Sequence, residues 1–192
     1  MLKGNPDLDR PLQTALDIFL RSNRSAALKF TAIRLKDEEA ALDVLQEAMI
    51  GFSHTVHQYE EEVWKKLFYK ILLRRITDFQ RKQSWRHRIV QVLNFSQLAQ
   101  PEDEHVSASL DPEATENTAE VYEAGELADA FEVALGKLPA RQQEAYLLRQ
   151  WQAMSVAETA VVMKCSQGSV KTHLSRAMQA LRQELGDWID PH

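Results

Sequence analysis

The stretch SVAETAVVMKCSQGSVKTHLSRAMQALRQEL, Ser155–Leu185, decides the fold of the second half of this chain. Ser155 and Glu158 have the spacing of a capping box, which predicts a short helix over Val156–Met163. Ser166 can then cap a second, longer helix. About three residues join the two helices, and that is the length of a helix-turn-helix joint.

The second of these helices has one apolar face and one polar face. Its apolar residues follow helical spacing and predict packing inward: Val170, Leu174, Ala177, Met178 and Leu181. The polar face carries donors and acceptors that can reach base edges and phosphates: Gln167, Ser169, Lys171, Thr172, Ser175 and Arg176. They cluster toward the helix N-terminus, as reading of the DNA major groove requires. Two amphipathic helices with a short joint also occur in ordinary helical bundles, so the pattern alone leaves both interpretations open.

Charge is segregated along the rest of the chain, although the formal net charge is only −5. From Trp64 to Arg88 there are nine Lys and Arg residues and one acid, Asp78, with aromatic residues interleaved. Cations beside exposed rings are typical of single-stranded nucleic-acid binding. Trp85 is the ring that we expect to be exposed, whereas Phe68 and Phe79 are predicted to lie in the core.

An acidic segment separates the two halves of the chain. Residues 96–120 include seven acids but no Lys, Arg or aromatic residue. Such a segment cannot bury enough apolar surface to offset its ordering entropy, so it predicts a flexible linker. The linker divides the chain into a first domain, residues 1–95, and a second domain, residues 121–192.

The periodicity of both domains predicts an all-α protein made of two small helical domains, the C-terminal one a helix-turn-helix. Predicted helices cover residues 37–54, 62–82 and 140–150, another ends near Gly136 and Pro139, and a short first helix covers Thr14–Leu20. Within 62–82 the stripe predicted to face the core is Val63, Leu67, Ile71, Ile76 and Phe79.

No pattern of catalytic or cofactor-binding residues accompanies these features. A Ser-His-Asp pattern and a Gly-rich phosphate loop are both missing, so we expect neither an enzyme nor a cofactor. His54 and His57 are three residues apart without a third ligand nearby, so no metal is expected. The one cysteine, Cys165, excludes an internal disulfide framework. The polar N-terminus and the lack of a long apolar run predict a cytoplasmic protein without membrane insertion.

Three segments resemble the sigma factors of bacterial RNA polymerase, in the extracytoplasmic-function (ECF) group of the sigma-70 family. Leu138–Leu185, which opens LPARQQEAYLLR and later reads SVKTHLSRA, resembles region 4. AALDVLQEAM (Ala40–Met49) resembles region 2.2, and LFYKILLRRITDFQRK (Leu67–Lys82) resembles regions 2.3 and 2.4. The segments follow the family's order on both sides of the linker. Lys164 stands where the family often has Gly, and a lysine in a left-handed turn costs about 1 kcal/mol.

The resemblance implies a sigma factor that binds core RNA polymerase and directs promoter-specific transcription initiation. The implied polymerase-binding residues are Asp43, Gln46 and Glu47. The loop at 55–62 would capture a flipped base of the −10 element. The DNA strands of that element would be held by Arg74, Arg75, Arg81, Lys82 and Trp85. The −35 element would be read by the polar face of the last helix: Gln167, Ser169, Lys171, Thr172, Ser175 and Arg176. An anti-sigma factor is implied as a further partner.

Three other functions compete with this interpretation. A regulator with the same helix-turn-helix and an N-terminal dimerisation domain would need an apolar seam, whereas DVLQEAM presents polar residues. A helical enzyme would need a cluster of catalytic groups, and a protein that sequesters another regulator would need no basic recognition face. We also expect a block on the free protein, imposed by an anti-sigma factor or by the two domains folding together, because the acidic linker and the two basic surfaces carry opposite charges.

Overall fold

The computed structural model describes residues 6–94 and 118–186, and nearly all of these residues are helical. The helices are α1 (Pro6–Leu35), α2 (Glu38–Thr55), α3 (Trp64–Asn94), α4 (Thr118–Lys137), α5 (Ala140–Tyr146), α6 (Val156–Met163) and α7 (Gln167–Glu184). Short 3-10 turns at Val56–Gln58 and Glu61–Val63 connect α2 to α3, and α5 continues into a π-helical turn at Leu147–Trp151. The two described ranges contain no strand, which confirms the all-α prediction.

The first helical unit, α1–α3, is built around aromatic side chains. Phe52 of α2 lies with its ring centroid 5.2 Å from Phe19 of α1 and 5.6 Å from Phe68 of α3. Trp64 and Tyr69 complete the cluster, and both are fully buried. The Phe52–Phe68 pair is edge-to-face, and such pairs contribute about 0.5–1.5 kcal/mol each beyond the apolar area that they bury.

Two sequence-based predictions about the first unit are corrected by the structure. The first helix is not short but covers Pro6–Leu35, because Ala27 and Phe30 in its second half are buried. The stripe predicted over 62–82 is incomplete: Ile76 is buried, and Leu67, Ile71 and Phe79 are half-buried against the core. The residues that α3 buries most deeply are Trp64, Phe68, Tyr69, Leu72, Leu73 and Ile76. Because α3 contacts α1, α2 and α6, it buries a wider face than a surface helix would.

The second helical unit, α4–α7, has its own buried residues. Leu135 of α4, Leu148 of the π-turn, Val170 and Ala177 of α7 are each at most 1% exposed. The helix that ends near Gly136 is confirmed, since α4 ends at Lys137. This helix begins at Thr118, so residues 118–120, counted with the linker above, are helical. The rest of the acidic segment lies outside the described residues.

The two units pack against each other. Helix α6 lies against α3, and α1 contacts α4. Their buried apolar side chains form one continuous cluster. Among the described helices, none combines the length and apolarity that a membrane crossing requires.

Candidate nucleic-acid interface

The helix-turn-helix is set by two side-chain caps. Ser155 Oγ accepts from the Glu158 backbone N–H at 3.1 Å, and the Glu158 carboxylate accepts from the Ser155 N–H at 2.8 Å. Hydrogen bonds from Ser155 to the carboxylate lower the pKa of Glu158. Ser166 Oγ accepts from the Ser169 N–H at 3.0 Å and caps α7. Both caps predicted from the sequence are therefore confirmed, because each depends only on residues three apart.

The joint between α6 and α7 turns at Lys164. This residue has a left-handed backbone, with φ 52° and ψ 51°, as the sequence predicts. The next residue, Cys165, is half-buried, and its N–H donates to the Ala160 carbonyl at 3.0 Å. The turn therefore satisfies carbonyls that the end of α6 would otherwise leave without partners.

Helix α7 presents the two faces that its sequence predicts. On the inner face Val170, Ala177 and Leu181 are buried, and Leu174 and Met178 are half-buried. On the outer face the exposed residues are Gln167, Lys171, Thr172, Ser175 and Arg176. We call these five residues the reading face. Among the described residues, neither Lys171 nor Arg176 forms an ion pair, so both cations point to solvent unneutralised.

Ser169 departs from the expectation of an outward-facing contact. It is half-buried, and its hydroxyl lies 2.9 Å from the Ser166 hydroxyl. Thr172 is exposed, but its hydroxyl donates to the Gly168 carbonyl at 3.0 Å. Both hydroxyls are therefore committed in part to the first turn of α7, because short hydroxyl side chains readily bond to nearby backbone.

Helix α3 carries a second exposed basic surface. Arg74, Arg75, Arg81, Lys82 and Trp85 all reach solvent, and Trp85 is 67% exposed. Asp78 lies between two of the arginines: its carboxylate is 3.2 Å from Arg81 Nη2 and 3.8 Å from Arg74 Nε. We call this set the α3 basic surface. Its charges and its ring therefore face outward together, as the sequence predicts.

The loop between α2 and α3 contains an aromatic residue that sequence reasoning did not select. Tyr59 is exposed, and its carbonyl accepts from the Trp64 indole N–H at 3.0 Å. Trp64, one of the rings interleaved with the lysines, is buried and anchors this loop instead of facing solvent. Tyr59 lies between the two short 3-10 turns that precede α3, inside the loop at 55–62 that the resemblance implies for the flipped base.

The predicted polymerase-binding residues share an exposed face of α2. Asp43, Gln46 and Glu47 are exposed, and Glu47 lies 3.5 Å from Arg75 of α3. Two apolar residues on the same side were missed: Leu42 is 47% exposed and Ile50 is 51% exposed. Residues 42, 46 and 50 are four apart and lie along one helical line. Leu42 and Ile50 therefore add exposed apolar surface to the face that carries the three polar residues.

Comparison with known proteins agrees with this geometry. The family model for region 4 of sigma-70 matches residues 128–181. The RNA polymerase sigma-E factor of Streptomyces coelicolor is 31% identical over 168 residues, which cover 87% of this chain and 84% of that protein. The sigma-E factor of Streptomyces avermitilis is 30% identical over 167 residues, covering 87% and 83%. Sigma factor SigV of Bacillus subtilis is 28% identical over 152 residues, covering 79% of each.

Two solved structures share the fold. The sigma factor RpoE, from its co-crystal structure with the anti-sigma factor NepR of Bartonella quintana, gives a TM-score of 0.58 at 23% identity, over 95% of this chain and 98% of that one. CnrH, in complex with the cytosolic domain of CnrY, gives a TM-score of 0.57 at 17% identity, over 91% of this chain and 89% of that one. With sigma-E factors matched at about 30% identity along most of both chains, this chain belongs to the extracytoplasmic-function group of the sigma-70 family and is a sigma factor that directs promoter-specific transcription initiation.

Proposed function

We propose that this sigma factor divides promoter recognition between its two helical units. The first domain, residues 1–95, binds core RNA polymerase and the −10 element, and the second, residues 121–192, binds the −35 element. The observation that carries the proposal is the reading face of α7. It combines two cations that have no ion-pair partner in the described part of the chain with hydrogen-bonding side chains near a capped helix N-terminus, and no acid interrupts it.

For the −35 element, α7 enters the major groove with its first turns. Gln167, Lys171 and Arg176 supply donors for base edges and phosphates, and the N–H groups at the helix start favour an additional phosphate. Ser175 adds a short donor on the same side. Ser169 and Thr172 contribute mainly by fixing the first turn, since their hydroxyls already bond within it.

For the −10 element, the α3 basic surface binds the strands as the duplex opens. Arg74, Arg75, Arg81 and Lys82 bind phosphates, and Asp78 aligns two of the arginines. Trp85 and Tyr59 are exposed rings on which unstacked bases can stack. The loop that carries Tyr59 receives the flipped base.

For polymerase binding, the α2 face combines polar and apolar contacts. Asp43, Gln46 and Glu47 provide the polar contacts, and Leu42 and Ile50 lose exposed apolar surface on docking. Catalysis belongs to the polymerase, and this chain supplies specificity and contacts that stabilise the open strands. We further infer a cytoplasmic protein with an anti-sigma factor as partner, since RpoE was solved with the anti-sigma factor NepR and CnrH with the cytosolic domain of CnrY.

Run-off transcription tests the proposal. Core polymerase from a related bacterium is combined with the purified chain and a pool of genomic promoter fragments. We expect discrete transcripts only when both proteins are present, and their loss when Lys171 and Arg176 are both changed to Ala. Arg182→Ala, an exposed arginine at the far end of α7, is the matched control.

Two outcomes contradict the proposal. One is an absence of transcripts together with a failure to co-elute with core polymerase. The other is binding of duplex fragments by the chain alone, without any effect of polymerase, which supports a helix-turn-helix regulator instead.

A further inference from the structure

Buried charged and polar side chains join the two helical units. Arg34, in the last turn of α1, is only 7% exposed, and its partners Gln143 and Glu144 on α5 are 3% and 5% exposed. A charge that is removed from water is costly unless it is paired and hydrogen-bonded. These residues lie on different units, far apart along the chain, so the contact between units is what buries them.

The hydrogen bonds of this cluster are specific. Arg34 Nη1 donates to Gln143 Oε1 at 2.9 Å, and Arg34 Nη2 donates to Glu144 Oε1 at 3.0 Å. The Gln143 amide donates back to the Ile33 carbonyl at 3.4 Å. The other carboxylate oxygen of Glu144 accepts from Arg141 at 2.9 Å. The guanidinium, the amide and the carboxylate therefore interlock across the boundary between α1 and α5.

Two further polar contacts join the two units. Lys65 of α3 donates to the Gln152 carbonyl, which follows the π-turn, at 2.6 Å. Lys29 of α1 forms an ion pair with Glu132 of α4. Together with the packing of α6 on α3, these contacts set one arrangement of the two units.

A polar contact of this kind is specific but can open. A buried ion pair adds little net stability, yet removing one partner leaves an uncompensated charge. Burial lowers the pKa of the Arg34 guanidinium, and Glu144 opposes that effect. Arg34 Nε is buried without a hydrogen-bond partner in the described part of the chain. In the open state this N–H can donate a hydrogen bond to water, which lowers the free-energy cost of opening. When the units separate, the polar groups of all three side chains become hydrated.

The closed arrangement is too small for a complete promoter. Elements centred about 25 base pairs apart are separated by about 85 Å of duplex at ~3.4 Å per base pair. A compact body of about 160 residues has a radius of gyration of about 15 Å and is roughly 40 Å across. The chain between Asn94 and Thr118 can reach about 80 Å when fully extended, so it permits the units to separate.

We propose that Arg34, Gln143 and Glu144 form an interdomain latch that keeps the two units of the free protein together, and that this latch must open before both promoter elements are bound at once. The inference rests on the proposed function, because it assigns one element to each unit. It differs from a block by an anti-sigma factor, since the contacts lie within the chain itself.

A reversible crosslink across the boundary tests the need for opening. The variant carries Lys29→Cys and Glu132→Cys with Cys165→Ala, and a short bifunctional methanethiosulfonate joins the two thiols. We expect the crosslinked protein to give at least about 10-fold less run-off transcript from a promoter with both elements, since it cannot bind both together. Reductant should restore transcription. The matched control joins Lys137→Cys to Glu184→Cys, an ion pair within the second unit, and should transcribe normally.

The latch itself is tested by the crosslinking rate, measured without polymerase or DNA. Adding Glu144→Gln or Arg34→Gln should raise the ratio of open to closed protein by about 100-fold. Each change should therefore slow the crosslink between positions 29 and 132, but not the control crosslink between positions 137 and 184. Arg21→Gln, which breaks an exposed ion pair on α1, should change neither rate. An unchanged rate in the latch variants, or full transcription by the crosslinked protein, overturns the latch. A reduced protein that never transcribes with core overturns the proposed function, while the crosslinking rates still decide the latch.

Discussion

At the scale of single residues, Lys171 and Arg176 are the side chains on which −35 recognition depends most. Both are exposed on α7 without an ion-pair partner in the described ranges. If the side chain contacts a base, its change to Ala should weaken binding to a duplex −35 fragment by about 1–3 kcal/mol. If it contacts a DNA phosphate, the change should reduce the slope of log affinity against log salt concentration by about one. Fluorescence anisotropy at several salt concentrations separates the two roles. An equal loss in Arg182→Ala would contradict a specific role for either residue.

Glu158 should make the stability of the helix-turn-helix depend on pH. Hydrogen bonds to Ser155 lower its folded pKa below the usual value of 4.5. The carboxylate therefore stabilises the fold above the unfolded pKa, and that contribution is lost as pH falls through the lower folded pKa. We expect the urea midpoint of the wild type to fall more steeply than that of Glu158→Gln between about pH 6 and about pH 3. Parallel curves for the two proteins would count against this role of the cap.

Single residues differ in how far the sequence could predict them. Ser155, Glu158 and Ser166 were predictable because a cap depends on neighbours three residues away. Trp85 was predicted to be exposed and is, whereas Trp64 sits among equally basic neighbours and is buried. Which ring faces the core depends on how α3 packs on three other helices, and no local pattern of charges contains that information.

At the scale of helices, the exposed face of α2 should be a polymerase-binding surface with an apolar component. Leu42 and Ile50 are about half exposed, so changing both to Ser removes contact area on docking but little packing within the chain. We expect co-elution with core polymerase to weaken by about 10-fold or more, with the thermal midpoint nearly unchanged. Ile18→Ser, a comparably exposed apolar residue on α1, is the control. A similar loss in the control would indicate nonspecific apolar binding.

The limits of the helices were predicted best where they depend on local signals. Helices α6 and α7 begin where their caps predict, and α4 ends beside Gly136. Helix α1 was underestimated because its sequence is polar on average, and the packing of Ala27 and Phe30 under the neighbouring helices extends it. Most helical stability in proteins comes from such tertiary packing, which a window of sequence does not record.

At the scale of the whole molecule, the sequence suggested that the two domains of the free protein fold together, but it did not indicate which residues join them. The segregated charges suggested an association of the acidic linker with the basic surfaces. Most of the acidic segment lies outside the described residues, so that association stays a prediction. Within the described residues, Arg34 pairs with Glu144, and no sequence pattern connects these two residues. A buried pair between distant segments depends on the packing of both units, so it becomes visible only in three dimensions.

Salt distinguishes these two ways of closing the molecule. Contacts between exposed charges weaken as the Debye length falls from about 10 Å at 0.1 M to about 3 Å at 1 M, whereas a buried pair is screened much less. If Arg34 and Glu144 keep the units together, small-angle scattering of the free protein should give nearly the same radius of gyration at both salt concentrations. Glu144→Gln should expand the molecule at both, and Glu184→Gln, which affects only an exposed pair, should not. Expansion of the wild type with added salt would instead favour closure by the exposed charges.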